Sequence, residues 1–126
     1  MFQVKYKFGF SAAHHLPDYD GPCKEIHGHD YGVEVVVAAE KLDSQGMVTD
    51  FHKLEGLVKQ HILGQLDHTD LNESLPDSAQ PPTAENIAKW IYDRLANLFD
   101  SRWQRLTQVT VEETPGCSAV YSKSEC

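Results

Sequence analysis

Three histidines carry the strongest chemical signal in the chain. His14 ends the string Phe10-Ser11-Ala12-Ala13-His14, and His27 and His29 stand in His27-Gly28-His29-Asp30-Tyr31. Imidazole is the usual nitrogen ligand of zinc, and three protein ligands with an open fourth position describe a catalytic rather than a structural site. In an extended chain the side chains of i and i+2 leave the same face. His27 and His29 can then reach one ion, with Gly28 between them adding no side chain to crowd it. A lone histidine there reads as an ordinary polar residue at a strand end. Three facing inward need shared partners, and the expectation is a zinc enzyme.

The elements that must position them are legible from parity. Val4, Tyr6, Phe8, Phe10 and Ala12 alternate with Gln3, Lys5, Lys7, Gly9 and Ser11, a half-buried strand over residues 3–13. His14 continues the apolar parity and faces inward, whereas His15 faces out and is kept as a reserve ligand in case a bulge near Ala13 shifts the count. Tyr31, Val33, Val35, Val37 and Ala39 share the parity of His27 and His29, giving a second strand over residues 31–40. Asp50 is placed to cap a helix with Phe51, Leu54, Leu57, Val58 and Ile62 on one face, ending near Gly64. Thr83 caps a second helix, with Ala84, Ile87, Ala88, Ile91, Leu95 and Leu98 in a stripe. Strands over 106–113 and 118–122 flank a Pro115-Gly116 turn. The order β-β-α-α-β-β predicts an α+β architecture: a four-stranded antiparallel sheet with two helices on one face.

Cys23 is the first candidate for chemistry beyond the metal. A thiol acts as base or nucleophile when a nearby cation favours its thiolate, and bound zinc or the neighbouring Lys24 would be such a cation. It can equally be an inert buried cysteine or a fourth ligand closing the site. Cys117 and Cys126 have weaker claims. Asp67-His68 is a possible proton relay, the carboxylate orienting the imidazole, or else a polar pair ending a helix. Glu113 shares the inward parity of Val109 and Val111, so its carboxylate needs a partner, which a ligand presenting paired N–H donors would supply. It can equally be salt-bridged or merely exposed at the sheet edge. His52 and His61 read as surface residues of the first helix.

At 126 residues the chain fits one domain, 1–126, with 40% apolar and 24% charged residues. A net charge of −8 argues against a general nucleic-acid or anionic-membrane surface. Three cysteines suggest no disulfide framework. With no secretory leader or membrane-length apolar run, the expected location is the cytoplasm.

Taken together, the strings Phe10-Ser11-Ala12-Ala13-His14, Cys23 through Tyr31, Gly46-Met47-Val48-Thr49-Asp50-Phe51, Leu66-Asp67-His68, Leu71-Asn72, Pro82-Thr83-Ala84-Glu85-Asn86 and Val111-Glu112-Glu113-Thr114 closely resemble the 6-pyruvoyltetrahydropterin synthase / 6-carboxytetrahydropterin synthase family. The resemblance implies the tunnelling fold (T-fold), in which sheets of several subunits join into a barrel, typically a homohexamer arranged as a dimer of trimers with active sites at subunit interfaces. It implies Zn2+ on His14, His27 and His29, Cys23 as catalytic thiol, Asp67 and His68 as its acid–base partners, and Glu113 as anchor of a pterin ring. The three residues between Cys23 and His27 resemble the bacterial 6-carboxytetrahydropterin synthases of queuosine biosynthesis. Those convert 7,8-dihydroneopterin triphosphate to 6-carboxy-5,6,7,8-tetrahydropterin, releasing acetaldehyde and triphosphate. The alternatives are a 6-pyruvoyl synthase, a related dihydropterin aldolase or epimerase, and a non-catalytic zinc- or pterin-binding protein.

Overall fold

The computed structural model describes residues 1–123. Strand β1 spans Phe2–His14 and pairs antiparallel with β2, His27–Ala39, in unbroken register from Phe2 opposite Ala39 to His14 opposite His27. A 3-10 turn, Pro22–Lys24, lies in the connection. Strand β2 thus begins four residues earlier than expected and takes the His-Gly-His string into the ladder. After Asp50, whose carboxylate accepts the His52 N–H, helix α1 runs over Phe51–Val58. It widens into a π turn, Lys59–Leu63, and finishes as α2, Gly64–Leu66.

The helix passes the expected stop at Gly64 because that glycine has ordinary right-handed helical angles, φ −61° and ψ −19°. The chain leaves the helix at Asp67, where the backbone becomes extended. A short strand β3, Thr69–Asp70, then pairs parallel with Ala12 and Ala13 of β1, adding a fifth strand to the expected four. One helical turn, α3 (Leu71–Ser74), and a 3-10 turn, Asp77–Ala79, lead to α4, Ala84–Ala96. Thr83 caps α4, its hydroxyl accepting the Asn86 N–H. Strands β4, Arg105–Thr114, and β5, Cys117–Tyr121, complete a sheet of order β3-β1-β2-β4-β5. Gly116 takes the left-handed conformation, φ 87°, that their turn requires.

The core lies between the helices and one face of the sheet. Tyr31, Val33, Val35, Val37 and Ala39 of β2 are buried, as are Val109 and Val111 of β4. Leu54, Val58, Ile62 and Leu66 meet them from the first helical segment, and Ile87, Ala88, Ile91 and Leu95 from α4. Full burial of each large aliphatic side chain is worth roughly 1.5–3 kcal/mol, which is what holds the strand ends in place. Phe51 departs from expectation: it stays half exposed at the start of α1 while Leu54 takes the buried position. Among the described residues no helix is long and apolar enough to cross a membrane. Cys126 lies outside the described residues.

Candidate metal centre

The β1–β2 register builds the site. His14 lies directly opposite His27, and His29 lies opposite Ala12, diagonal to His14 and on the same face. Ring centroids are 4.6 Å apart for His14–His27, 5.0 Å for His14–His29 and 4.7 Å for His27–His29. Glu113 enters from β4, at a bulge where the β4–β5 register shifts between Glu112 and Thr114. Its Oε1 is 3.0 Å from Nε2 of His14 and 3.1 Å from Nε2 of His29. One donor atom from each of these four residues lies within 4.8 Å of all the others, a group able to hold a metal ion.

The outer nitrogens define the tautomers. His14 Nδ1 lies 2.8 Å from the Pro82 carbonyl oxygen, and His27 Nδ1 lies 2.7 Å from that of Glu25. A carbonyl only accepts, so both Nδ1 atoms carry the proton and both Nε2 lone pairs point inward. Those two Nε2 atoms are 3.0 Å apart. Two lone pairs at this distance repel unless a metal ion lies against both or one ring carries a proton between them. His29 Nε2 is buried with no hydrogen-bond partner of its own. Three imidazoles, two of them with carbonyl-held outer nitrogens, beside one carboxylate suit a borderline metal such as zinc, and the observed donors fit it. Burial holds the His29 pKa below the ordinary imidazole value, with Glu113 acting to raise it and His14 and His27 to lower it. The neutral, ligating form is favoured.

Gly28 does not serve by leaving room for the ion. A Cβ there would meet only the Ala12 carbonyl at an ordinary 3.8 Å, because residue 28 points to the opposite face of the strand. His15, the reserve ligand, stands outside the donor group; its N–H is bound by the Asn72 side chain at 2.9 Å.

Cys23 also stands outside that group, half-buried in the Pro22–Lys24 turn as a free thiol. Asp67 and His68 flank the open edge of β1. Asp67 Oδ1 accepts the Ser11 N–H at 3.0 Å, and the His68 N–H donates to the Ser11 carbonyl at 2.6 Å. His68 adopts a left-handed backbone, φ 60°, and its ring Nε2 lies 3.6 Å from Asp67 Oδ2. Its side chain is 81% exposed. It shares with His29, Ser11 and Asp30 an open groove of about 540 Å³. The structure therefore gathers His14, His27, His29 and Glu113 at one point, places His68 at a groove that His29 also lines, and leaves Cys23 apart. The Pro82 and Glu25 carbonyls escaped the sequence reading, because a backbone acceptor has no side-chain signature.

Residues 3–124 match the model of a family described as 6-pyruvoyl tetrahydropterin synthase. The chain is 38% identical to the 6-carboxy-5,6,7,8-tetrahydropterin synthase of Bacillus subtilis (strain 168), an alignment covering 95% of this chain and 84% of that protein. It is 37% identical to the enzyme of the same name from Synechocystis sp., with 96% and 93% covered. The fold superposes on the 6-pyruvoyl tetrahydropterin synthase of Caenorhabditis elegans with a TM-score of 0.85 at 28% identity, covering 98% of this chain and 96% of that one. The family model spans nearly the whole chain and the relatives align along most of it, so the chain belongs to the 6-pyruvoyl tetrahydropterin synthase family.

Proposed function

We propose that this protein is a zinc-dependent 6-carboxy-5,6,7,8-tetrahydropterin synthase, a lyase converting 7,8-dihydroneopterin triphosphate to 6-carboxytetrahydropterin with release of acetaldehyde and triphosphate, in queuosine biosynthesis. The observation that carries the metal part is the convergence of donor atoms of His14, His27, His29 and Glu113 within 4.8 Å of one another, with the His14 and His27 Nε2 atoms 3.0 Å apart. The curated relatives at 37–38% identity support the carboxy product.

His14, His27 and His29 would hold the ion, and zinc there would supply Lewis acidity to the hydroxyls of the substrate side chain. Cys23 moves a proton on or off the side-chain carbon, and His68 serves the opposite transfer, with Asp67 Oδ2 3.6 Å from its ring Nε2. Glu113 fixes the pterin by accepting from its N–H edge. A second reading of Glu113, as a fourth metal donor, is favoured by its contacts with His14 and His29. The single domain works as a cytoplasmic homohexamer, a dimer of trimers, and the exposure of His68 suits a site that a neighbouring subunit completes.

The test is turnover of dihydroneopterin triphosphate by the zinc-loaded protein, assaying acetaldehyde and the pterin together. Acetaldehyde with 6-carboxytetrahydropterin is expected. A pyruvoyl product without acetaldehyde would move the protein to the sister activity, and metal and pterin binding without turnover would make it a binding protein.

A further inference from the structure

His14 is the last residue of β1, and a strand end frays unless something ties it. On the outer edge of β1 the short β3 pairs with Ala12 and Ala13 only. At the next position a side chain takes over the work of a strand. Asn72 Oδ1 accepts the His15 N–H at 2.9 Å, and Asn72 Nδ2 donates to the His15 carbonyl at 3.0 Å. One carboxamide thus closes both main-chain groups of the residue that follows the ligand.

Asn72 is itself immobilised. Its N–H donates to Asp70 Oδ1 at 3.0 Å, and its carbonyl lies 3.1 Å from Gln80 Nε2. The same Gln80 nitrogen is 3.1 Å from the Leu71 carbonyl and 3.2 Å from that of Leu75, so its two N–H groups are spent on the α3 turn. Two residues beyond Gln80, the Pro82 carbonyl accepts the His14 Nδ1 proton. The backbone beside His14 and the ring of His14 are therefore held by two arms that meet at Gln80.

We propose that Asn72 and Gln80 are positioning residues that together fix the His14 imidazole for metal binding. The proposal rests on the metal-site reading above. Neither side chain belongs to the donor group, and both act through His14. Partners bonded directly to a ligating histidine typically govern metal affinity by about 10–100-fold, and Asn72 and Gln80 act one contact further out.

The experiment compares wild type, Asn72→Ala, Gln80→Met and a stability control, Leu95→Ala, about 16 Å along α4 from its start. Zn2+ affinity is read by competition with a chromophoric chelator, and ligand geometry by the visible spectrum of the Co2+ form. Asn72→Ala and Gln80→Met are expected to weaken Zn2+ binding by about 10-fold, the low end for outer partners, and to alter the Co2+ bands. Leu95→Ala is expected to lower Tm while keeping wild-type affinity and spectrum. Should Asn72→Ala fail to fold, Gln80→Met and Asn72→Asp read the same bracket; the latter keeps the acceptor for the His15 N–H but sets an oxygen against the His15 carbonyl. Wild-type affinity and bands in the folded variants would overturn the proposal, as would an equal loss in Leu95→Ala. A wild-type protein that binds neither ion would instead bring down the metal reading, and the proposal with it.

Discussion

The Glu113 carboxylate lies 3.0 Å from Nε2 of His14, although their strands, β4 and β1, are separated by the whole width of β2. Glu113 faces the cluster because it shares the inward side of Val109 and Val111, at the bulge that ends β4. This leaves one carboxylate between two employments, ring anchor and metal donor.

Glu113→Gln separates the two. The amide keeps the shape and removes the charge, and charge-assisted hydrogen bonds are worth about 1.5–3 kcal/mol. As ring anchor, its loss should raise KM for the pterin by about 10–100-fold with Zn2+ affinity nearly intact. A drop in Zn2+ affinity of that size, with KM unchanged, assigns the carboxylate to the metal.

Cys23→Ala is expected to lower kcat by about 10²–10⁴-fold, the usual contribution of a positioned acid or base. Because the thiol stands outside the donor group, the variant should retain its zinc in full. Metal analysis of the purified variant checks this, and a stoichiometric loss would make Cys23 a ligand after all.

The lowered pKa of His29 has a thermodynamic consequence for the metal-free protein. The unfolded chain, with an ordinary imidazole near 6.5, binds the proton more tightly than the folded one. Folding stability from this residue is therefore undiminished above that value and declines as pH falls through it. Thermal melts of the metal-free protein should show Tm falling from pH 7.5 to 5.5, and His29→Asn should flatten that slope. A Tm that holds steady or climbs on acidification would contradict the assignment of burial as the dominant cause.

Thr83→Ala removes the oxygen that accepts the Asn86 N–H at the start of α4. Loss of such a cap costs about 1 kcal/mol, and Thr83→Ser should restore it. A calorimetric Tm lower by about 3–6 °C is expected for the alanine variant alone.

Much of this site could be read before any coordinates. Parity along residues 4–14 and 27–39 depends only on the alternation of a strand, so it located the buried face and sent His14, His27 and His29 to it together. Asp50 and Thr83 were readable as caps because their chemistry is local. What parity cannot carry is the pairing of a two-residue strand. Thr69–Asp70 is recognisable only through the β1 edge that it meets. The carbonyls of Pro82 and Glu25 were invisible for a different reason, since any residue offers one and only the fold selects which. Phe51 misled because an apolar residue at the first helical position satisfies the stripe without reaching the sheet.

The π turn at Lys59–Leu63 sets the phase of everything that follows it. The turn carries about one residue more than an α turn, so a residue deleted there leaves Asp67 near its present phase. One deleted from the regular helix α1 would instead rotate Asp67 by about 100° and draw it back about 1.5 Å. The Ser11 N–H would lose its carboxylate, and Thr69 would come out of step with Ala12. In evolutionary terms the length of α1 is frozen along with its buried Leu54 and Val58, while its exposed side chains can exchange freely. Insertions and deletions should accumulate instead in the turn around residues 41–46 and in the connection around residues 100–104, where no ligand or relay depends on the count.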